Sequence, residues 1–213
     1  MAGASGTLRA TMTLSVYQLK PQFQRLLRPL VQALASARVT PNQLTVATAA
    51  LMVAYGAALA GMPASRGLWL GLVAVMPLRM ALNALDGLLA THTGRKTPLG
   101  AILNEVCDVI ADLALYLPVA LLPGVSAWLA VLAACAAAVV EQAGLAALAA
   151  GAQRRFDGPM GKSDRAVAYG LVALLAGCGV APAWIDAVLA AVTLLLAWTF
   201  VNRLRAGAAP PTP

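Results

Sequence analysis

Acidic and amide side chains recur at helical spacing in two stretches that are otherwise apolar, Asn83-Ala-Leu-Asp86-Gly87 and Asn104-Glu105-Val-Cys-Asp108-Val-Ile-Ala-Asp112. On helices, the i, i+3 step of the first run and the i, i+4, i+8 steps of the second put each set on one face. An ionisable group at the middle of a membrane helix costs at least ~2.5 kcal/mol, so such groups turn toward the protein interior and mark function. Two faces of this kind, opposed, make a cage of oxygen ligands suited to a hard divalent cation. Glu105 points about 100° away from Asn104 and stands off that face. Asp112 lies on it one turn deeper than Asp108, either in the ligand shell or as a partner of another helix.

The elements that must position these groups follow from composition. The chain has 213 residues, of which 61% are hydrophobic and only 11% charged, against about 25% charged in a soluble domain. This is the composition of an all-α integral membrane protein. Six apolar spans, near 43–62, 67–90, 98–121, 125–150, 164–181 and 183–203, each approach the ~20 residues a helix needs to cross the hydrocarbon. Before them, residues 16–37 interleave Tyr17, Leu19, Phe23, Leu26, Leu27, Leu30, Val31 and Leu34 with Lys20, Arg25 and Arg28. That pattern predicts an N-terminal amphipathic helix lying in the membrane interface. Thr40-Pro41-Asn42 then reads as a helix start, with Thr40 capping and Pro41 at the first position. The expected organisation is a single membrane domain over 16–205, between a disordered N-terminal segment 1–15 and a disordered tail 206–213. Residues 1–11 lack the apolar core of a signal peptide, and Met12 offers an alternative start.

A net charge of +7 raises the question of nucleic acid, but the basic residues gather in the segments between spans. Arg9, Lys20, Arg25, Arg28 and Arg38 precede the first span; Arg95 and Lys96 follow the second; Arg154, Arg155, Lys162 and Arg165 follow the fourth; Arg203 and Arg205 close the sixth. The opposite loops carry Arg66 alone. By the positive-inside rule both termini and the acid-bearing ends of spans two and three are cytoplasmic. The cations meet lipid headgroups and phosphate there, and no nucleic-acid partner is expected. Cys107, Cys135 and Cys178 are scattered through apolar sequence, fit neither a disulfide framework nor a zinc pattern, and read as small buried hydrophobes. His92, the single histidine, lies in a short polar loop, which argues against a histidine-based metal site or triad.

Loop 91–97 joins spans two and three. Counting from Pro98, Asn104, Asp108 and Asp112 lie roughly 9, 15 and 21 Å along the helix at 1.5 Å per residue. Asn83 and Asp86 fall at matching depth on the other side of the loop. Gly87 and Gly100, without side chains, are expected to let these two helices approach closely. Arg79, one turn before Asn83, reaches either a diphosphate or Asp112. Glu141, at about the depth of Asp108, is expected to line the same cavity. Ser163 is expected to cap span five, leaving Lys162 and Arg165 beside a positive helix N-terminus as an anion site.

Asn83-x-x-Asp86-Gly87-x-x-Ala90-Thr91, eight residues, then Gly100-x-x-x-Asn104-x-x-x-Asp108 resembles the signature of the CDP-alcohol phosphotransferases (CDP-alcohol phosphatidyltransferases), D-x-x-D-G-x-x-A-R-(x8)-G-x-x-x-D-x-x-x-D. The spacing matches at every step. The six spans, the interfacial helix, the Thr-Pro-Asn-x-Leu-Thr run at 40–45 and Gly-Lys-x-x-Arg at 161–165 are also similar to that family.

The resemblance implies metal-dependent transfer of a substituted phosphate from a CDP-linked donor to an alcohol with release of CMP; the interfacial helix and lipid-facing spans favour CDP-diacylglycerol as donor, in phospholipid synthesis, and the basic residues favour a small polar acceptor, plain or phosphorylated. It implies Mg²⁺ or Mn²⁺ held by Asn83, Asp86, Asn104 and Asp108, with Gly87, Ala90, Gly100, Arg79, Lys162 and Arg165 toward the donor. Asp108 takes the base position; sliding the motif one turn makes Asp108 a ligand and Asp112 the base. A homodimer in the bacterial inner membrane is also implied. The chain departs from the pattern at three positions, because Asn83, Asn104 and Thr91 stand for two aspartates and an arginine. Four motif positions thus hold two carboxylates, which weakens binding of two dications. The same departures define the alternative, a catalytically impaired relative that binds lipid or nucleotide. An ion or proton transporter, the third reading, lacks the broken paired helices and repeats it would need.

Overall fold

Two threonines start the helices that frame the acidic residues. Thr40 Oγ1 accepts from the Gln43 N–H at 3.2 Å while the Gln43 side chain accepts from the Thr40 N–H at 2.9 Å. With Pro41 at the first position this is a full capping box, as the sequence leads one to expect. Thr97 repeats the device, accepting from the Gly100 N–H at 3.0 Å ahead of Pro98. The computed structural model describes residues 20–208, with side chains described from residue 25 onward. The expected segment 1–15, the first residues of the interfacial helix and most of the tail lie outside the described residues.

Among those described, the chain is all-helical: α1 (Lys20–Ser36), α2 (Pro41–Gly61), α3 (Arg66–His92), α4 (Pro98–Tyr116), α5 (Ala127–Ala149), α6 (Lys162–Gly177) and α7 (Pro182–Ala208), with a 3₁₀ turn (Leu117–Leu121) after α4. Helices α2, α3, α5 and α7 are long and apolar enough to cross a membrane. Helix α6 has 16 residues, too few on its own by that measure. Helix α4 is long enough, but Glu105, Asp108 and Asp112 crowd its 19 residues. Helix α1 lays Leu27 and Val31 on Leu85 and Leu89 of α3 and leaves Leu26 exposed.

The main core joins all the long helices. Ala130, Ala133, Ala134 and Ala137 of α5 are buried, and these small side chains let α5 and α7 pack closely along their length. Tyr116 and Tyr169 stack with ring centroids 3.6 Å apart, pinning the end of α4 to α6.

Two expectations fail here. Helices α3 and α4 do not pack side by side; α2 packs extensively on both of them. Gly87 has open space around it, and Gly100 is approached by Asn42 Oδ1 of α2. Close approach comes instead at Gly56 of α2, where a Cβ would collide with the backbone of Ala114 in α4. A cavity between α3 and α4 requires them apart, so the third helix carries the packing. The cysteines are free, but Cys135 and Cys178 are exposed and Cys107 half-buried. In a fold whose outer surface is apolar, an apolar run faces outward as readily as inward, so the run alone did not fix the side.

Candidate active site

The N-terminal ends of α2 and α4 and the C-terminal end of α3 enclose a cavity of about 330 Å³. It is lined by Asn83, Asp86, Gly87 and Ala90 of α3 and by Gly100 and Asn104 of α4. Six of the residues singled out by spacing therefore meet on one volume. Helix α2 contributes Asn42 and Thr45, and the α3–α4 connection contributes Arg95, Lys96 and Thr97. None of these five stood among the expected site residues. Asn42 and Thr45 repeat the i, i+3 polar step of Asn83 and Asp86 at the start of a helix, a signal that was available. Arg95 and Lys96 read as topology charges because positive-inside bias explained them fully.

Asp86 is buried, and its Oδ2 accepts from Thr45 Oγ1 at 2.8 Å, tying α3 to α2. Thr45 Oγ1 is in turn 3.0 Å from the Pro41 carbonyl within its own helix. Asn83 Nδ2 donates to Asp108 Oδ1 across to α4, a bond in which the Asn83 amide oxygen takes no part. Gly87 matters as a missing side chain: nothing stands within 4 Å of where its Cβ would be, so that wall of the cavity stays open.

The remaining expected residues sit behind the cavity wall. Asp108 accepts from Lys162 Nζ through Oδ2, and Arg79 Nη2 donates to the Asp108 main-chain carbonyl at 2.9 Å. Arg79 Nη2 also lies 2.7 Å from Asp112 Oδ1, so of its two expected targets the structure gives it Asp112. Arg165 is fully buried, with Nη2 3.2 Å from Asp112 Oδ2 and 2.8 Å from Glu141 Oε1. Glu141 is also 3.8 Å from Arg203. Glu141 therefore belongs to a closed ionic cluster and does not line the cavity. Glu105 makes a two-pronged pair with Arg154, its Oε2 at 2.8 Å, consistent with its pointing off the Asn104 face.

The start of α6 differs from expectation. The helix begins at Lys162 with Gly161 as its N-cap, and Asp164 Oδ2 accepts from the Gly161 N–H at 2.9 Å. Asp164, one position beyond Ser163, thus supplies the capping acceptor. Lys162 and Arg165 leave the helix start toward Asp108, Asp112 and Glu141 instead of forming an open anion site.

The cavity-facing donors fit a hard dication: one carboxylate, Asp86, with the amide oxygens of Asn83 and Asn104. Among the described residues no three His, Cys, Asp or Glu side chains gather as a metal cluster, so neutral oxygens must complete any coordination. Arg95 and Lys96 at the mouth supply positive charge for a phosphate-bearing ligand.

A family model described as CDP-alcohol phosphatidyltransferase matches residues 38–201. The chain is 43% identical over 195 residues to the inner membrane protein YnbA of Escherichia coli (strain K12), covering 90% of this chain and 96% of that one. It is 36% identical over 93 residues to a phosphatidylinositol phosphate synthase of Corynebacterium glutamicum, covering 44% of this chain and 41% of that one. Among solved structures, the Mycobacterium tuberculosis phosphatidylinositol phosphate synthase with CDP-DAG bound superposes with a TM-score of 0.76 at 20% identity, covering 88% of this chain and 96% of that one. The same enzyme with manganese and citrate gives 0.75 at 20% identity, covering 86% and 89%. At that identity the likeness is one of fold.

Proposed function

Since the chain belongs to the CDP-alcohol phosphatidyltransferase family, we propose that it transfers a phosphatidyl group from CDP-diacylglycerol to a small polar alcohol and releases CMP. The observation that carries this reading is the cavity itself, where six residues at the family's motif positions line one space at the polar ends of three helices, with Asp108 behind its wall on Asn83. A lipid-linked nucleotide needs such a place, with acyl chains beside the helices and the diphosphate at their polar ends. Arg95 and Lys96 face that diphosphate, and Arg95, one turn beyond Thr91, offers the guanidinium the motif has lost. Their charge also suits an acceptor that carries a phosphate.

The acceptor hydroxyl oxygen attacks the phosphorus that bears diacylglycerol, the bond from that phosphorus to the CMP oxygen breaks, and the hydroxyl proton passes to a carboxylate. Asp108 is the group we assign to that proton. Asp112 is held between Arg79 and Arg165, which suits a positioning residue that fixes α4 beneath Asp108. Mg²⁺ or Mn²⁺, on Asp86 and the two asparagine oxygens, would neutralise charge gathering on the departing phosphate. Lys162 and Arg79 hold Asp108 in orientation.

All six helices α2 to α7 cross the bacterial inner membrane in this reading, with both termini and the cavity cytoplasmic. The acids of α4 find partners inside the fold, in Arg154, Lys162, Arg79 and Arg165, so they need not meet lipid. The protein works as a homodimer. The second reading, a binding protein without turnover, draws on Asn83, Asn104 and Thr91. Purified protein given CDP-diacylglycerol, Mn²⁺ and a panel of plain and phosphorylated alcohols is expected to release CMP with at least one. Silence with every acceptor, in protein that still binds CDP, selects the second reading.

A further inference from the structure

The motif positions that hold four aspartates in the family's pattern hold two here, and the fold treats those two differently. Asp86 lines the cavity together with the amides of Asn83 and Asn104. Asp108 does not. Its two carboxylate oxygens accept from Asn83 Nδ2 and Lys162 Nζ, and Arg79 stands 3.7 Å from the first of them. Resting on the transferase reading above, we propose that the site holds a single divalent cation, on Asp86 and the two asparagine oxygens. The Lys162 ammonium stands beside Asp108 in place of a second.

Charge decides the matter. Two carboxylates and one ammonium leave a single net negative charge at the motif positions. One dication already overbalances it, and a second would enter a positive site by displacing an ammonium from a buried carboxylate. The ammonium is a compact charge on a flexible stem, and the Lys162 side chain is about a quarter exposed, so it can follow a phosphate without leaving Asp108 unpaired. Asn83 and Asn104 then belong with Lys162 as one matched change: two negative charges fewer, one dication fewer. Asn83 also takes a part no aspartate could, because its Nδ2 donates to Asp108 where a carboxylate would repel it.

The test counts Mn²⁺ bound to the purified full-length chain in detergent, from the electron paramagnetic resonance signal of the free ion during titration. The wild-type chain is expected to bind one ion. Asn83→Asp with Asn104→Asp is expected to double the count, the second ion showing as a dipolar-broadened signal. Lys162→Gln is expected to keep one ion and to lower CMP release about tenfold or more, the scale of a charged hydrogen bond. Two ions of comparable affinity in the wild type overturn the proposal, and so does none. So do a stably folded double variant that gains no second ion and a Lys162→Gln variant with undiminished CMP release. One ion without CMP release from any acceptor sinks the transferase reading alone; two ions with CMP release sink the single-ion count alone.

Discussion

The buried acids of α3, α4 and α5 have opposite fates on the two sides of the cavity wall. Around the cavity, Asp86 has a neutral partner in Thr45 and is flanked by amides. Behind it, Asp112 and Glu141 are shared among Arg79, Arg165 and Arg203. Asp108 stands on the border, with Asn83 on one oxygen and Lys162 on the other. The same residue types in the same apolar sequence thus become a ligand surface or a structural cluster according to whether a guanidinium reaches them. An acid left with neutral partners still has electrostatic work to offer a ligand, whereas an acid between two arginines has spent it inside the fold.

Substitutions that move a residue across this border give the sharpest comparison. Asp108→Asn is expected to lower CMP release by ~10²- to 10⁴-fold, the range of a lost general base, and to lower the melting temperature as well, since it leaves Lys162 beside a neutral amide. If activity survives it, the proton goes elsewhere and the border runs on the other side of Asp108. Arg165→Leu is the opposite case: it removes the guanidinium that two buried carboxylates share, leaving Asp112 to Arg79 and Glu141 to longer contacts, and should cost about 3–5 kcal/mol of stability. Thermal unfolding in detergent reads that loss; an unchanged midpoint would show the closed cluster to be solvated. The mildest is Thr45→Val, which removes one hydrogen bond to a carboxylate, worth about 1.5–3 kcal/mol. It is expected to raise the Mn²⁺ concentration needed for half-maximal CMP release about tenfold or more while leaving the Arg165 cluster intact. An unaltered Mn²⁺ requirement would remove Asp86 from the donor set.

The sequence made the helical architecture and most of the cavity wall legible because period and spacing are local properties. Asn83, Asp86, Gly87, Ala90, Gly100 and Asn104 needed only the 3.6-residue repeat and the family's pattern. What stayed hidden depends on which helices touch. Helices α3 and α4 are consecutive and joined by a short loop, so their direct packing was the natural expectation, yet α2 takes both contacts. Arg165 and Glu141 looked like cavity groups because depth was known and azimuth was not. Thr45 stands at an i, i+3 step from Asn42 in the sequence, but its partner, a carboxylate 2.8 Å away on another helix, is visible only in the fold.

Helix α2 meets α3 through Thr45 and α4 through Gly56. Those positions are eleven residues apart, three helical turns to within about 20° at 3.6 residues per turn. Both contacts therefore fall on a single stripe of one rod. The interval behaves as a measured length in the gene as well as in the fold. Inserting or deleting one codon anywhere between them would swing Thr45 about 100° from Asp86 while Gly56 kept its seat on Ala114. Substitutions on the outer face of that interval leave the measure unaltered, so in this segment variation in residue type and variation in length face quite different constraints.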